Sequence, residues 1–299
     1  MPNPNISFGW FTPSNSTPQS NRVPLPIWQQ SEVLPAVARH FDSLWVSDHF
    51  IGFDNLTTPF LECWTTLTWL ASRYPNVQVG TIVLAVGWRN PALLAKMAAS
   101  LHALSNGRVI MGIGAGWREV EYDSYGYPFP KPSIRIAQLE EAVKIMHMMW
   151  TESAPTFHGN YFQIENAYCY PQPNPPIPMM IGGGGEQLLL PLAARNADIW
   201  DVYHGGNHDT FDLQNYTRKL NILRTAAEAA NRKPSAIKQS VTIGEARLPT
   251  SSQESAQWLD SLRPIIDLGV TQFILDCAHV PSAEPVERFA EEVIRPLRS

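Results

Sequence analysis

The chain has 299 residues, of which 44% are hydrophobic, and its formal net charge is −5 at pH 7. This composition can bury a sizeable core, so intrinsic disorder is excluded as a class. The mildly acidic balance without basic runs argues against a nucleic-acid-binding surface, and no apolar stretch approaches the ~18 residues that a membrane span needs.

Short apolar runs alternate with helix-length segments along the whole chain. The predicted strands are residues 6–10, 43–46, 77–84, 108–113, 178–181, 197–202, 237–243 and 270–275. The predicted helices are residues 31–41, 60–73, 91–105, 133–151, 186–195, 210–231, 252–268 and 284–298. Eight such units predict a closed (β/α)8 TIM barrel. Apolar strands without clean alternation are typical of a parallel sheet covered on both faces. An open doubly wound sheet is the competing architecture.

Residues 152–177 interrupt this alternation between the fourth helix and the fifth strand. Residues 156–164 have the pattern of a small hairpin, and the proline-rich stretch 171–178 follows it. Because no internal repeat is evident, the sequence favours one domain over residues 1–299. We expect the insertion segment 152–177 to lie outside the barrel and partly to cover its mouth.

The strongest chemical signal follows the second predicted strand, where Ser47, Asp48, His49 and Phe50 succeed one another. In a (β/α)8 barrel the ligand site lies at the carboxyl ends of the strands, so an acid and an imidazole are delivered together to the mouth. Histidine suits proton transfer because its ordinary pKa lies near neutrality. The alternative interpretation is that Asp48 caps a turn and His49 is a surface residue.

Two other predicted strand ends are rich in glycine. Residues 112–116 read Gly-Ile-Gly-Ala-Gly, but a dinucleotide fingerprint would require glycine where Trp117 stands. These alternating glycines instead allow a flat ligand to approach the backbone. Gly182–Gly185 precede a predicted helix, and free backbone N–H groups at a helix N-terminus favour a phosphate. A tight strand end and a flexible turn are the respective alternatives.

Several further side chains near predicted strand ends carry two interpretations each. Trp88 could line the cavity or pack in the core, and His204 and His208 either touch a substrate or are solvated. Glu119 and Glu121 fall in the predicted loop after the fourth strand. They could be carboxylates at the rim of the mouth, but we expect them to be solvated loop charges. The sequence has neither the spacing of a metal site nor a Gly-x-Ser-x-Gly elbow, so we expect no metal and no hydrolase chemistry.

The three cysteines, Cys63, Cys169 and Cys277, lie far apart, and an odd number cannot all pair. Such usage is typical of a reducing compartment, and no Cys-x-x-Cys motif occurs. The first residues show neither the charged region nor the apolar region of a signal peptide. We therefore expect a cytoplasmic protein.

Three of these segments resemble the bacterial luciferase-like monooxygenase superfamily: Leu44–Phe50, Gly107–Trp117 and Gly182–Gly185. The resemblance extends over nearly the whole chain and implies a (β/α)8 barrel that binds a flavin-type cofactor in its mouth and transfers hydride. The sequence Ser-Asp-His-Phe is similar to the branch that uses the deazaflavin coenzyme F420, whereas relatives that use FMN more often have Glu-His-His there. Coenzyme F420 is therefore the expected cofactor and FMN the alternative.

The resemblance also implies roles for particular residues. Asp48 would hydrogen-bond the deazaflavin, and His49 would be the acid or base beside its reactive carbon. A strand bulge with a non-prolyl cis peptide is expected near Ile82 and Val83, where it would support the back face of the ring. Ala115 would lie near the cofactor. The backbone of five consecutive residues would hold the cofactor phosphate, namely Gly183, Gly184, Gly185, Glu186 and Gln187.

Departures from the family bear on the substrate. The sugar-phosphate dehydrogenases of this branch have glutamate at the position of Trp117 and tryptophan at that of Phe53, and glycine at 205–206 replaces their phosphate-binding lysine. We therefore expect a small apolar or aromatic substrate rather than glucose 6-phosphate. Its expected contacts are Phe53, Trp88, Trp117 and His204.

The expected activity is hydride transfer between coenzyme F420 and this substrate. One alternative is an FMN-dependent monooxygenase that uses molecular oxygen and a separate flavin reductase. These two activities differ because the ring carbon of a deazaflavin cannot form the stable oxygen adduct that flavins form. Another alternative is a cofactor-binding protein without turnover, which the presence of both Asp48 and His49 disfavours. We further expect a homodimer without nucleic-acid or membrane partners.

Overall fold

The computed structural model describes residues 5–17, 20–53, 55–277 and 280–299. Its strands are β1 (Ser7–Phe11), β2 (Ser43–Val46), β3 (Gln78–Thr81), β4 (Leu84–Ala85), β5 (Val109–Gly114), β6 (Phe157–His158), β7 (Gln163–Ile164), β8 (Met179–Gly182), β9 (Ile199–His204), β10 (Lys238–Ile243) and β11 (Val270–Asp276). Its helices are α1 (Leu25–Gln29), α2 (Val33–His40), α3 (Cys63–Arg73), α4 (Pro91–Leu104), α5 (Glu119–Tyr125), α6 (Pro132–Thr151), α7 (Leu189–Asn196), α8 (Leu213–Ala229), α9 (Ser252–Asp267), α10 (Glu284–Phe289) and α11 (Arg295–Arg298). Within these ranges, no helix is long and apolar enough to cross a membrane.

Nine of these strands form one sheet, in the order β3-β2-β1-β11-β10-β9-β8-β5-β4, and β3 also pairs with β5. This second pairing closes the sheet, and all of its pairings are parallel. Because β3 and β4 are two halves of one interrupted strand, the result is a closed eight-stranded barrel. The predicted (β/α)8 architecture is confirmed, and the open doubly wound sheet is excluded.

The interruption between β3 and β4 distinguishes the observed third barrel strand from the continuous predicted strand 77–84. The peptide bond between Ile82 and Val83 is cis, as the family resemblance implied. On the neighbouring strand, a Cβ at Gly112 would lie 1.8 Å from the carbonyl oxygen of Thr81. Glycine at this position therefore allows the interrupted strand to approach β5 closely.

Side chains that point into the barrel form a small core, separate from the one beneath the helices. Its members are Phe11, Trp45, Ile110, Met180, Ile199 and Ile274. Trp45 fits across the interior because Gly9 and Gly80 leave room for its indole, and a Cβ at either position would lie 2.4 Å from that ring. Below its mouth the barrel is therefore a packed core rather than a channel.

The helices cover the outside of the sheet and bury a second, larger core. In α4 the sequence sets the start of the helix directly: Asn90 accepts hydrogen bonds from the N–H groups of Ala92 and Leu93, and Pro91 takes the first helical position. The three cysteines are buried free thiols. Helix positions predicted from periodicity agree with the structure to within a few residues at most ends, and the short α1 was not predicted.

The insertion segment 152–177 contains the predicted hairpin, with β6 and β7 paired antiparallel. Contrary to expectation, it does not cover the barrel mouth. It runs along the flank of the barrel, where the N–H groups of residues 160–162 donate to Glu141 of α6 and His102 of α4 contacts the carbonyl of Pro175. The segment joins the end of α6 to the start of β8, and helix-to-strand connections lie at the opposite end of a barrel from the ligand site.

A further difference from the sequence prediction is α5, which occupies part of the segment predicted as a loop between β5 and α6. Its residues Glu119 and Val120 are exposed, whereas Glu121 and Tyr122 are fully buried. The helix ends at Gly126, whose φ of +74° is the left-handed conformation common after helix ends. Helix α5 holds Glu121 at the barrel mouth, a fixed position that an irregular loop would not provide.

Candidate active site

A cavity of about 780 Å³ opens at the carboxyl ends of the barrel strands. Its volume lies within the range of small-molecule and cofactor sites, and its wall is mostly apolar, as such sites usually are. Most of the residues that the sequence predicted line it: Asp48, His49, Phe53, Ile82, Val83, Trp88, Ala115, Trp117, Gly183 and Gly185. The predicted site residues at the ends of different strands therefore meet at one cavity.

His49 is held at the cavity wall by a buried carboxylate. Its Nδ1 lies 2.7 Å from Oε2 of Glu121, whose side chain is fully buried. Glu121 also accepts hydrogen bonds from the backbone N–H groups of Phe50 (2.8 Å) and Ile51 (3.3 Å) and from Arg118 (3.2 Å). A carboxylate only accepts, so it selects the tautomer with hydrogen on Nδ1 and leaves Nε2 for a ligand.

Glu121 is the site residue that the sequence analysis missed, because it was expected to be a solvated loop charge. Burial acts to raise its pKa, but the hydrogen bond and the charge of His49, together with the N–H groups of Phe50 and Ile51, hold the pKa below its ordinary value. Glu121 is therefore ionised at neutral pH. The one available signal was its place shortly after a glycine-rich strand end. Glu119 is exposed as expected.

Four aromatic rings surround the imidazole of His49. The ring centroids of Phe53 and Trp117 lie 4.7 and 5.8 Å from it, and those of Phe60 and Trp88 lie 6.0 and 6.4 Å away. The planes of Phe53 and Trp117 differ by 7°, and their centroids are 6.3 Å apart. These two side chains are 45% and 66% exposed. Large aromatic groups left exposed at a cavity entrance indicate contact with a ligand.

Asp48 lines the cavity, but its carboxylate is already engaged by the protein. Arg89 donates to Oδ2 at 2.7 Å and to Oδ1 at 3.0 Å, and the N–H of Ala85 donates to Oδ2 at 3.0 Å. Burial raises the pKa of Asp48, and the charge of Arg89 opposes that rise. Burial acts to lower the pKa of Arg89, but Asp48 raises it overall. The ion pair anchors the segment that carries His49.

Ile82 and Val83 form an apolar platform within the cavity. The side chain of Val83 sits in a notch left by two glycines, because a Cβ would lie 2.7 Å from it at Gly114 and 2.9 Å from it at Gly182. A larger residue at either position would displace Val83. The platform corresponds to the strand bulge that the family resemblance implied, and Ala115 lines the cavity beside it.

The glycine-rich loop after β8 retains free backbone donors. Gly183 has a φ of +125°, which side chains rarely allow, and its N–H donates to the carbonyl of Asp201 at 2.9 Å. In the part of the chain that the structure describes, the N–H groups of residues 184–188 donate to no protein acceptor. Lys219 of α8 extends over Gly184, with Nζ 2.6 Å from the position of a Cβ there. These donors and this cation fit a phosphate.

Two predicted phosphate-binding residues contribute no side chain to the cavity. Glu186 forms an ion pair with Arg218, with Oε1 and Nη1 2.7 Å apart. Gln187 is exposed to solvent. Only the backbone N–H groups of Glu186 and Gln187 therefore remain candidates for phosphate binding, in agreement with the backbone role that the resemblance implied.

His204 does not line the cavity, contrary to the expectation from sequence. Its Nε2 lies 3.1 Å from the carbonyl oxygen of Asn207 and 3.0 Å from Oγ1 of Thr210. Successive side chains of a strand point to opposite faces, so Tyr203 reaches the cavity and His204 does not. His208 is buried against Trp258, with ring centroids 3.9 Å apart, and is a packing residue.

Two acidic residues on the cavity wall were not predicted. Asp201 belongs to β9 and Asp276 ends β11, and both line the cavity. Burial raises the pKa of Asp201 to about 6, although the hydroxyls of Ser240 and Thr242 oppose it. Burial and the charge of Glu245 raise the pKa of Asp276 to about 7. The described residues hold no group of three or more His, Cys, Asp and Glu side chains suited to a metal ion.

This chain is similar in sequence to known proteins. Residues 6–291 match the model of the luciferase-like monooxygenase family. The F420-dependent glucose-6-phosphate dehydrogenase of Kineococcus radiotolerans is 31% identical over 255 residues, which are 84% of this chain and 72% of the relative. The corresponding enzyme of Amycolatopsis mediterranei is 32% identical over 257 residues, which are 84% of this chain and 73% of that enzyme.

The fold has a close counterpart among solved structures. An F420-dependent secondary alcohol dehydrogenase in complex with an F420-acetone adduct superposes with a TM-score of 0.80 at 19% identity, over 98% of this chain and 99% of the other. At this identity the likeness concerns the fold alone. The family match and the sequence relatives confirm the resemblance read from the three motifs, including its F420-dependent branch. The chain belongs to the luciferase-like monooxygenase family.

Proposed function

We propose that this chain catalyses hydride transfer between coenzyme F420 and a small, planar, apolar or aromatic substrate. The observation that carries the proposal is the imidazole of His49, held by Glu121 on the wall of a cavity that also offers a ring platform and a phosphate-binding loop. Two sequence relatives named as F420-dependent dehydrogenases support the choice of cofactor. FMN is the alternative cofactor, with oxygen as co-substrate and a separate flavin reductase.

Three features of the cavity fit an F420-type cofactor. Val83 offers an apolar surface for a flat ring, and the loop after Gly183 with Lys219 suits a phosphate. The buried Oδ1 of Asp201 has no hydrogen-bond partner in the described chain, so a polar ring edge would satisfy it. When bound, such a cofactor accepts or donates a hydride at a ring carbon.

His49 would handle the proton that accompanies hydride transfer. Reduction of a carbonyl or enone leaves negative charge on oxygen, and a positioned general acid neutralises it. Nε2 is the nitrogen that would donate this proton, or accept it in the oxidative direction, while Nδ1 stays bonded to Glu121. Glu121 thus orients the ring without touching the substrate. Asp48 supports the same segment through Arg89.

The charge distribution around the cavity favours an uncharged substrate. Arg118 is the one Lys or Arg among the described residues that line the cavity, and its guanidinium already donates to the carbonyls of Ile51 (2.7 Å) and Gly52 (2.5 Å). The opposite wall carries Asp201, and Asp276 lies two strands from β2. A sugar phosphate would meet no free cation beside His49 and two acids elsewhere on the cavity wall. The exposed aromatic rings at the entrance instead suit an apolar or aromatic molecule.

The proposal is tested by reconstituting the purified protein separately with F420 and with FMN and recording absorption and fluorescence spectra. We expect F420 to bind, and its reduced form to be oxidised by aromatic enones or aldehydes but not to be formed with glucose 6-phosphate. If the protein binds FMN in preference to F420 and consumes oxygen, FMN rather than F420 is the cofactor. Binding of neither cofactor would overturn the proposal, and efficient glucose 6-phosphate oxidation would overturn the substrate class.

Substitution of Glu121 tests the orienting role. We expect Glu121→Gln to lower kcat by roughly 10- to 10⁴-fold, the range spanned by carboxylates that orient a metal-bound or a catalytic histidine. It should also alter the pH profile of kcat while cofactor affinity is unchanged. The matched control is Glu119→Gln, two residues earlier on the same helix and exposed, which should behave as wild type. Equal turnover of the two variants would remove Glu121 from the mechanism.

The homodimer, the cytoplasmic location and the extent of a single domain over residues 1–299 stay predictions. Size-exclusion chromatography with light scattering tests the first of them. The two residues proposed here for proton transfer, His49 and Glu121, meet within one chain.

A further inference from the structure

Asp201 is a buried carboxyl group that the protein itself only half satisfies. Its Oδ2 accepts a hydrogen bond from Oγ1 of Thr242 at 2.9 Å. Its Oδ1 is buried and has no hydrogen-bond partner within the described residues. The hydroxyl of Ser240 is close enough to Asp201 to lower its pKa, but its Oγ makes no hydrogen bond within the described residues. Buried polar atoms are normally paired, so an orphaned carboxyl oxygen in a cavity wall points to a ligand.

The position of Asp201 relates it to the ring platform. Gly182 of β8 is paired with Asp201 of β9, and Gly114 of β5 lies beside Gly182. Neighbouring strands are about 4.8 Å apart, so Asp201 lies roughly 10 Å across the sheet from Gly114. The side chain of Val83 occupies the space above both glycines. Val83 therefore lies over glycines on two adjacent strands, β5 and β8, and the carboxyl group of Asp201 stands on the next strand, β9.

The other carboxylate expected to contact the cofactor is already engaged. Asp48 receives two hydrogen bonds from Arg89 and one from Ala85, whereas Asp201 has no arginine or lysine among its interactions. Asp201 thus has an oxygen to spare for a donor on the ligand. The edge of a flavin or deazaflavin ring supplies such a donor, the imide N–H between two carbonyl groups.

We propose that Oδ1 of Asp201 accepts a hydrogen bond from the imide N–H of a flavin-type ring that lies on Val83. The inference rests on the proposed function, because it requires the cofactor to occupy this cavity. It assigns the inner end of the platform to the polar edge of the ring. The outer part of the cavity, between Phe53 and Trp117, is then available to the substrate.

The experiment measures the dissociation constants of F420, FMN and FMN methylated at the imide nitrogen by fluorescence titration. We expect Asp201→Ala to weaken F420 and FMN binding roughly 10- to 100-fold, as for loss of a hydrogen bond to a charged group. Asp201→Asn, which keeps one acceptor oxygen and the shape of the side chain, should lose less. Methylated FMN should bind wild type weakly and be insensitive to Asp201→Ala.

Several outcomes separate this inference from the proposed function. The control Asp260→Asn, an exposed acid on α9, should bind as wild type. Unchanged affinity in Asp201→Ala, or equal binding of FMN and its methylated form to wild type, would overturn the role of Asp201 while leaving the cofactor assignment intact. If neither F420 nor FMN binds wild type, both proposals fail. Should Asp201→Ala not fold, the methylated probe on wild type decides alone.

Discussion

His49→Ala is expected to lower single-turnover hydride transfer by about 10²- to 10⁴-fold, the usual contribution of a positioned general acid or base. Cofactor affinity should stay within a few-fold of wild type, because Val83 and the loop after Gly183 are unchanged. The variant should also fold, since the carboxylate of Glu121 keeps its hydrogen bonds from Phe50 and Ile51. The measurement is stopped-flow absorbance with saturating cofactor and substrate.

His204→Ala is the matched control for this prediction. Like His49, His204 lies at the carboxyl end of a barrel strand, as the last residue of β9, but it lies outside the cavity and contacts Asn207 and Thr210. We expect its hydride-transfer rate to equal that of wild type. If His49→Ala transferred hydride as fast as His204→Ala, His49 would be only a packing residue.

Arg89→Met is expected to lower the free energy of unfolding by about 3–5 kcal/mol, the usual cost of breaking a buried ion pair from one side. The side chain of Asp48 is 0% exposed and that of Arg89 13%, so water cannot replace the lost partner. The loss should be larger at pH 8 than at pH 5. Without Arg89 the raised pKa of Asp48 rises further, and protonation at low pH removes the uncompensated charge.

Urea unfolding followed by circular dichroism at both pH values measures this effect. The control is Arg263→Met, which removes an exposed pair with Asp260 and should cost less than about 1 kcal/mol. The double variant Arg89→Met with Asp48→Leu should recover part of the lost stability, because it removes both buried charges. A loss below about 1 kcal/mol for Arg89→Met alone would mean that solvent reaches Asp48 and that the pair is no anchor.

The sequence relatives are named as sugar-phosphate dehydrogenases, whereas the substrate proposed for this chain is apolar or aromatic. Those relatives are about one third identical to this chain, yet the lysine expected after their sixth strand is absent at Gly205 and Gly206. In this structure β9 contributes Asp201 and Tyr203 to the cavity instead. The proposed change of substrate therefore rests on residues of this chain, and one fold commonly serves several substrates.

Much of the fold was predictable from the sequence because its signals are local. Alternating apolar runs and helical segments predicted the eight units of the barrel, and the helix starting at Pro91 carries its own cap in Asn90. The position of Asp48 and His49 at the cavity was predictable because the carboxyl end of a barrel strand is where such a fold builds its site. The platform at Val83 was implied by family resemblance rather than by any local signal.

What only the tertiary structure decided concerns contacts between distant segments. Glu121 meets His49 across 72 positions of sequence, and Asp48 meets Arg89 across 41, so neither pairing has a local signature. Which of Tyr203 and His204 enters the cavity depends on strand register, and a one-residue difference reverses it. Oδ1 of Asp201 lacks a hydrogen-bond partner among the described residues because the fold buries it without placing a donor beside it. The sequence by itself determined the scaffold and the location of the site, and the packing of distant side chains decided which groups there are free to act.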